Sequence, residues 1–488
     1  MRRAPPWVLS LALLAASPVP RAEEVLSLEQ ALARVVESYP SLAVAGAQLA
    51  RARQENARIE SLLGWNLAAQ GGYAREVSII GSPTDRVSLG ADLDRRLRSG
   101  STLGLSGSAA REDSELTFAP TIPNPQTTTE FGINYRQPWA RGDDFPDYAQ
   151  GLKTAGATLA IAEADRRGEF EQVARQVAEL YYSASATQAR LRSAERAIGR
   201  AERLLDYVRR NARLGVSETK DLLQAEAQLR ARQAERDGLV TAWEQQRVNL
   251  NRLMGRPWSE PFRPQAPETV PAADADPAAW QGEAERHSPA IQRNRARLDL
   301  AEAAIARARD ARKDKLDVVY SLGSRARRGD AAVGSVSDSE LVGGVRLEYG
   351  RALDRRGVDA GLVQAQIDRD IALENIRLVQ DDLHYAVYGL ARQIEANRNA
   401  VESARRSLDV EQRKLAEATE RYRRGRTETD RLIQYEAELY LAELSWEQQL
   451  IELARRHTEL AVVRGALWTR IGAAMDGPRG DGGAGGAQ

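Results

Sequence analysis

Apolar positions recur at three- and four-residue spacing over Leu28, Ala31, Leu32, Val35 and Val36, behind a capping-type start at Ser27-Leu28-Glu29-Gln30. This pattern predicts a helix from Ser27 to Leu63, interrupted at Pro40, which has no backbone donor to give. From Trp65 to Trp139 the period becomes two. Val87, Leu89, Ala91 and Leu93 alternate with polar or small residues, as do Leu103, Leu105 and Gly107, and then Phe131, Ile133 and Tyr135. Turn-formers separate these runs at Gly81-Ser82-Pro83, Ser99-Gly100 and Pro120-Thr121-Ile122-Pro123-Asn124-Pro125. The segment is a β-region with loops.

Helical spacing returns without proline from Asp147 to Arg213, a run that would span about 100 Å as one helix. Leu214-Gly215-Val216-Ser217 is a tight turn, and a second helix runs from Glu218 to Met254, capped by Gly255 and stopped by Pro257. The second half repeats the plan. A helix covers Glu283 to Ala311, and strands follow at Leu316–Arg325 and Glu340–Tyr349 around a polar loop at 329–337. A very long helix then runs from Arg356 to Arg424, turns at Gly425 and returns to Ile471.

The repetition extends to the residues. Thr219-Lys220-Asp221-Leu222-Leu223-Gln224-Ala225-Glu226-Ala227 returns as Thr429-Asp430-Arg431-Leu432-Ile433-Gln434-Tyr435-Glu436-Ala437, a shift of 210 residues. Tyr39-Pro40-Ser41-Leu42 is echoed by His287-Ser288-Pro289-Ala290-Ile291 at a shift of 249. The two shifts differ by 39 residues, which places an insertion between the echoes in the first half. An internal duplication on this scale sets the architecture before any single motif is weighed.

The organisation that follows is a signal peptide at 1–22, a first helix at 23–64, strands with an extracellular loop at 65–140, and long helices at 141–255 with a tip near 215. A linker at 256–282 leads to the second copy: a helix at 283–314, strands at 315–350, and long helices at 351–472 with a tip near 425. A Gly-rich tail at 473–488 completes the chain.

Composition narrows the class. Charged residues make up 28% and aromatics 6% of the 488 residues, which suits long helices with narrow apolar seams better than a thick globular core. The formal net charge of +0 gives no electrostatic case for nucleic acid. There is no cysteine, hence no disulfide, thiolate site or cysteine-borne lipid anchor. His287, His384 and His457 have no ligand spacing, so no metal site, cofactor site or catalytic site is expected. Arg2 and Arg3 followed by the apolar run Trp7–Ala16 have the form of a secretory signal, with cleavage after Ala22. That run is shorter than the roughly 20 residues of a membrane helix. The chain after it has no apolar stretch of spanning length, so any membrane crossing must use β-strands. Few strands per chain cannot close a barrel alone, which points to copies that pool them. A secreted coiled-coil scaffold or trimeric adhesin is the alternative that long charged helices leave open.

The turn motif Arg213-Leu214-Gly215-Val216-Ser217-Glu218-Thr219-Lys220-Asp221-Leu222, its counterpart Tyr422-Arg423-Arg424-Gly425-Arg426-Thr427-Glu428-Thr429, and the segments Ser288-Pro289-Ala290-Ile291 and Arg136-Gln137-Pro138-Trp139 resemble the TolC-like outer membrane efflux proteins. The resemblance runs from Leu26 to Ile471. It implies a mainly α fold: a duplicated long-helix α-barrel joined to an outer-membrane β-barrel. A homotrimer would share that β-barrel, with about four strands from each protomer. It further implies a duct that carries out no chemistry. Such a duct works with a periplasmic adaptor and an inner-membrane pump of the resistance-nodulation-division or ABC type. It sits in outer-membrane lipid of a Gram-negative cell, and its helices reach into the periplasm.

By the same resemblance the adaptor would dock on the tips Leu214, Gly215, Val216, Arg424, Gly425 and Arg426. Asp221, Tyr422, Asp430, Arg431 and Gln434 would line the gate, with an Asp221–Arg431 latch supported by Tyr422. Two departures from the family pattern stand out. The positions that can be acidic after the second turn are Arg431 and Gln434 here. The first β-region carries an extra strand pair, Arg86–Leu97 and Ser101–Ala110, which could extend the extracellular loop, fold over the mouth or join the barrel; four barrel strands per chain, the family count, are the favoured expectation.

Overall fold

The computed structural model describes residues 24–77, 83–115, 121–215, 217–267 and 276–471. The signal segment, the Gly-rich tail and Val216 lie outside the described residues. In chain order the elements are β1 (Glu24–Leu26), α1 (Leu28–Ser38), α2 (Pro40–Glu60), β2 (Trp65–Val77), β3 (Pro83–Arg96), β4 (Thr102–Ser114) and β5 (Gln126–Pro138). Then come α3 (Pro146–Arg213), α4 (Thr219–Leu253), β6 (Phe262–Pro264), α5 (Pro277–His287) and α6 (Pro289–Ala311). The chain continues with β7 (Lys315–Ala331), β8 (Gly334–Gly350), α7 (Arg356–Arg423), α8 (Thr429–Val463) and α9 (Ala466–Ile471).

The duplication is metrical. α3 and α7 each have 68 residues, α4 and α8 each have 35, and all their bounds are offset by 210. Pro40 and Pro289 each open a helix, where the missing amide hydrogen costs nothing. Ser288 caps α6 by accepting the Ile291 amide at 3.3 Å, and Ser27 caps α1 in a reciprocal box with Gln30.

The chain forms two units. One comprises Ser41–Glu169 and His287–His384 and holds the sheet. Its six strands run antiparallel in the order β2-β3-β4-β5-β7-β8. The first copy therefore supplies four strands, where about four were expected from the whole chain. The inserted residues become β3 and β4, paired between β2 and β5 along nearly their whole length, because a hairpin inside a sheet satisfies its backbone groups on both sides. The polar stretch 329–337 also differs from expectation. Most of it is strand, with the ladder held from Gly329↔Val336 to Ala331↔Gly334, since backbone pairing continues after the apolar alternation stops. Within the sheet, Arg136 bonds Asp317 at 2.8 Å and Glu348 at 2.7 Å, tying β5, β7 and β8 together. Helix packing in this unit includes Ile305 against Leu362 and Ala365.

The other unit comprises the chain up to Pro40, Phe170–Arg286 and Tyr385 onward. The segment 256–282, expected as a linker, contributes β6, which pairs in parallel with β1, and the start of α5. Three-residue strands carry too little periodicity to show in a sequence. The Tyr181 hydroxyl donates to the Leu26 carbonyl at 2.9 Å, and burial raises its pKa. Trp243 meets Phe262 edge-on at 5.7 Å. Arg34 and Arg256 both reach Glu24, at 2.7 and 3.3 Å. Toward the turns, Leu204, Leu205 and Val208 of α3 pack with Leu415 of α7 and with Leu432 and Leu439 of α8. This is the narrow apolar seam that such charged helices need.

Candidate functional site

Two places carry the chemistry of interest: the paired helix turns and the outer face of the sheet.

At the second turn Gly425 has φ +67, and its amide donates to the Tyr422 carbonyl at 2.9 Å. The Arg426 amide donates to the Arg421 carbonyl, also at 2.9 Å. Together these two bonds make a Schellman cap, with glycine at the left-handed position. At the first turn Gly215 has φ +74 and donates to the Ala212 carbonyl at 3.1 Å. A side chain at either glycine would meet open space, so the backbone angle alone asks for glycine. Leu214 projects from the first turn, 76% exposed.

The helices that leave the turns begin differently. Glu218 and Asp221 form a reciprocal box on α4, with the Asp221 carboxylate accepting the Glu218 amide at 3.3 Å. Asp221 is thus a helix cap within its own chain. On α8 the Tyr422 hydroxyl shares a 2.9 Å hydrogen bond with the buried Thr429 hydroxyl. The Tyr422 ring lies 5.3 Å from that of Tyr207, and burial raises its pKa. Arg431 stacks toward Tyr435, at 6.0 Å from its centroid, with Lys414 on the same ring at 4.6 Å. Gln434 donates to Glu438 at 3.0 Å, and Glu438 also holds Lys414. The Lys414 contact keeps the Glu438 pKa below the usual carboxylate range.

Within one chain the pair brought together is therefore Lys220 with Asp430, at 3.5 Å. Asp221 and Arg431 each have other partners in the same chain. A solvent-open groove at the second turn is lined by Lys414, Arg421, Arg426, Asp430, Arg431 and Tyr435.

The sheet has two unlike faces. Following the register from Trp65 and Leu67 on β2 leads to Leu93, Leu89 and Val87 on β3, then to Leu103 and Leu105 on β4. It continues to Phe131, Ile133 and Tyr135 on β5, Tyr320 and Leu322 on β7, and Leu341, Val345, Leu347 and Tyr349 on β8. All of these share one face, and Leu341 is 79% and Leu67 70% exposed. The opposite face carries cross-strand ion pairs such as Arg86–Glu112 at 3.4 Å and Arg325–Glu130 at 2.6 Å. An exposed apolar face this continuous belongs against lipid. Among the described residues no helix is long and apolar enough to cross a membrane.

Residues 99–256 match the sequence model of the family described as outer membrane efflux protein. The chain is similar to the outer membrane efflux proteins. The likeness in fold extends much further along the chain than that match. The outer-membrane channel OprN is 19% identical with a TM-score of 0.65, over 90% of this chain and 89% of that one. The outer membrane protein VceC from Vibrio cholerae is 15% identical with a TM-score of 0.62, over 90% and 95%. The Campylobacter jejuni CmeC outer membrane channel is 14% identical with a TM-score of 0.62, over 92% and 89%. No curated protein matches the chain in sequence. The resemblance to outer membrane efflux proteins drawn from the duplicated turns holds, and the fold class is the expected one, with the extra first-half pair lying within the sheet.

Sequence reasoning missed a set of ion pairs in the helix seam. Arg200 reaches Glu443 at 3.2 Å and Arg196 reaches Glu447 at 3.1 Å. Both acids sit on the face of α8 that carries Leu432 and Leu439, and that heptad-like phase was the available signal.

Proposed function

We propose that this chain is the outer-membrane exit duct of a tripartite efflux or type I secretion system. Three copies pool their sheets into one barrel in the outer membrane, and the long helices line a conduit in the periplasm. The observation that carries this reading is the sheet: one face with an exposed apolar band crossing all six strands, one charged face, and two open edges. Lipid does not tolerate open edges, and a charged face suits a water-filled lumen.

The turns are the docking tips for a periplasmic adaptor, itself seated on an inner-membrane pump. Leu214 and the Arg424–Arg426 segment stand exposed there, on caps whose backbone is already fixed. Asp221 and Arg431 latch the closed tip across the boundary between protomers, where a carboxylate and a guanidinium can form two hydrogen bonds. Fractionation tests the reading. The protein is expected to stay in the outer membrane through high salt and alkaline carbonate, and to leave it as a trimer only in detergent. Release by salt alone would favour a coiled-coil scaffold or adhesin.

A further inference from the structure

We propose that the barrel assembled by three copies has eighteen strands, closed by pairing β2 of each protomer with β8 of the next. The proposal rests on the trimeric outer-membrane reading above and goes beyond it in strand number, edge partner and bore.

Three observations carry it. First, β3 and β4 are integral to the sheet. β3 pairs with β2 over Trp65↔Arg95 to Val77↔Pro83 and with β4 over Thr84↔Ser114 to Arg96↔Thr102. β4 pairs with β5 over Thr102↔Arg136 to Glu112↔Gln126. The hairpin base is also held, with Arg96 over the ring of the buried Phe145 at 5.3 Å. A hairpin folded over the mouth would have left β2 beside β5. Second, Leu93 and Leu105 of these two strands lie level with Leu67, Ile133 and Leu322 on the apolar face, and Leu89 and Leu103 flank them on that same face, so the inserted strands share the lipid band.

Third, the two edges suit one another. β2 has 13 residues and β8 has 17, and neither contains proline or lysine, the usual devices that keep edges apart. Six strands alternate in direction, so β8 runs opposite to β2 and the next copy's β2 can add to it antiparallel. The occupant of each edge is therefore a second copy of this chain.

Barrel diameter grows roughly linearly with strand number, and barrels of 16–18 strands leave an aqueous channel. The exit here is therefore about one and a half times as wide as a barrel of four strands per protomer would give. Such a mouth would pass bulky solutes with their hydration intact.

The chain has no cysteine, so introduced pairs report cleanly. Leu67→Cys on β2 is combined, one at a time, with Leu341→Cys, Val345→Cys, Leu347→Cys or Tyr349→Cys on β8, in full-length protein oxidised in membranes. A disulfide needs Cβ atoms about 3.5–4.5 Å apart, so one position, or two adjacent ones, should yield covalent dimers and trimers. Electron cryo-microscopy of the detergent-extracted protein should count eighteen strands. Deleting residues 83–115 should give a twelve-stranded barrel about two-thirds as wide. If that variant fails to fold, the full-length cross-links and strand count still decide. An intact trimer with twelve strands, or with no β2–β8 link at any position, overturns the inference alone. A protein that salt releases from the membrane overturns the proposed function beneath it.

Discussion

Lys220 and Asp430 stand at the same place in the two copies of the duplicated turn, five residues past Gly215 and Gly425, and their side chains lie 3.5 Å apart. The next position in each copy inverts the charges, with Asp221 in the first and Arg431 in the second. One repeat contact is thus complementary within the chain, and at the next position Asp221 accepts from the Glu218 amide while Arg431 lies toward Tyr435. One residue along a helix is a rotation of about 100°, so the two pairs address different neighbours.

Charge reversal tests this division. Lys220→Glu should raise single-channel conductance in planar bilayers, and Lys220→Glu with Asp430→Lys should restore it. Both groups are half exposed, and an exposed pair contributes only about 0–1 kcal/mol, so thermal stability should hardly move. Asp221→Ala and Arg431→Ala should each also raise conductance, with the double variant no leakier than either. Unchanged conductance in both single variants removes the latch.

The turn glycines give a second prediction. Gly425→Asp places a charged side chain at φ +67, at a cost of about 1–2 kcal/mol, and sets a carboxylate in the docking contact. Export should be lost while the trimer still assembles. Gly425→Asn, which tolerates the left-handed angle, should export better than Gly425→Asp. Equal export by both would mean that the tip makes no contact sensitive to charge.

The sheet supplies a third. Leu322→Arg puts a charge on the lipid face and should cost about 2–4 kcal/mol if it lies near the bilayer midplane. Ser321→Arg, one residue away on the charged face, should be tolerated. Heat-modifiable mobility on gels after insertion into membranes separates the two, and similar yields for both would place lipid elsewhere.

Glu171 makes a fourth. Burial raises its pKa from 4.5 to about 7, against a weak opposing pull from Arg175 at 3.9 Å. The folded state therefore holds this proton more tightly than the unfolded chain does. Below pH 4.5 the carboxyl is neutral in both states and costs nothing. Between about pH 4.5 and 7 stability falls as the unfolded chain ionises first, by roughly 3 kcal/mol in all. Glu171→Gln should flatten that slope and be more stable than the parent at pH 8. Urea unfolding at pH 5 and pH 8 is the measurement, and a slope unchanged by the substitution would locate the titration elsewhere.

The helices and their turns were legible in the sequence because apolar spacing, proline and glycine act locally. Pro40 and Pro289 open helices, and Gly425 caps one, for reasons contained within a few residues. The strand pairing was not. Period-two alternation identifies Leu89 and Leu105 as strand residues but says nothing about which strand lies beside which. The Gly329–Gly334 stretch lost its alternation where the ladder did not end. At the turns the sequence marks the residues, while their partners inside one chain come from packing: Asp221 caps its own helix with Glu218, and helix phase brings Lys220 to Asp430.

The equal lengths of α3 with α7 and of α4 with α8 carry an evolutionary consequence. A single residue deleted from α3 would turn every later side chain of that helix by about 100° and draw its tip back by about 1.5 Å. Its twin would stay where it was, and the seam shared by Leu204, Leu415 and Leu432 would slip out of step. Length in this chain is therefore inherited as a matched set. The sheet could accept a new hairpin in one copy alone, whereas the arms can be lengthened or shortened only together, and only by steps that bring the apolar stripe back to the same side.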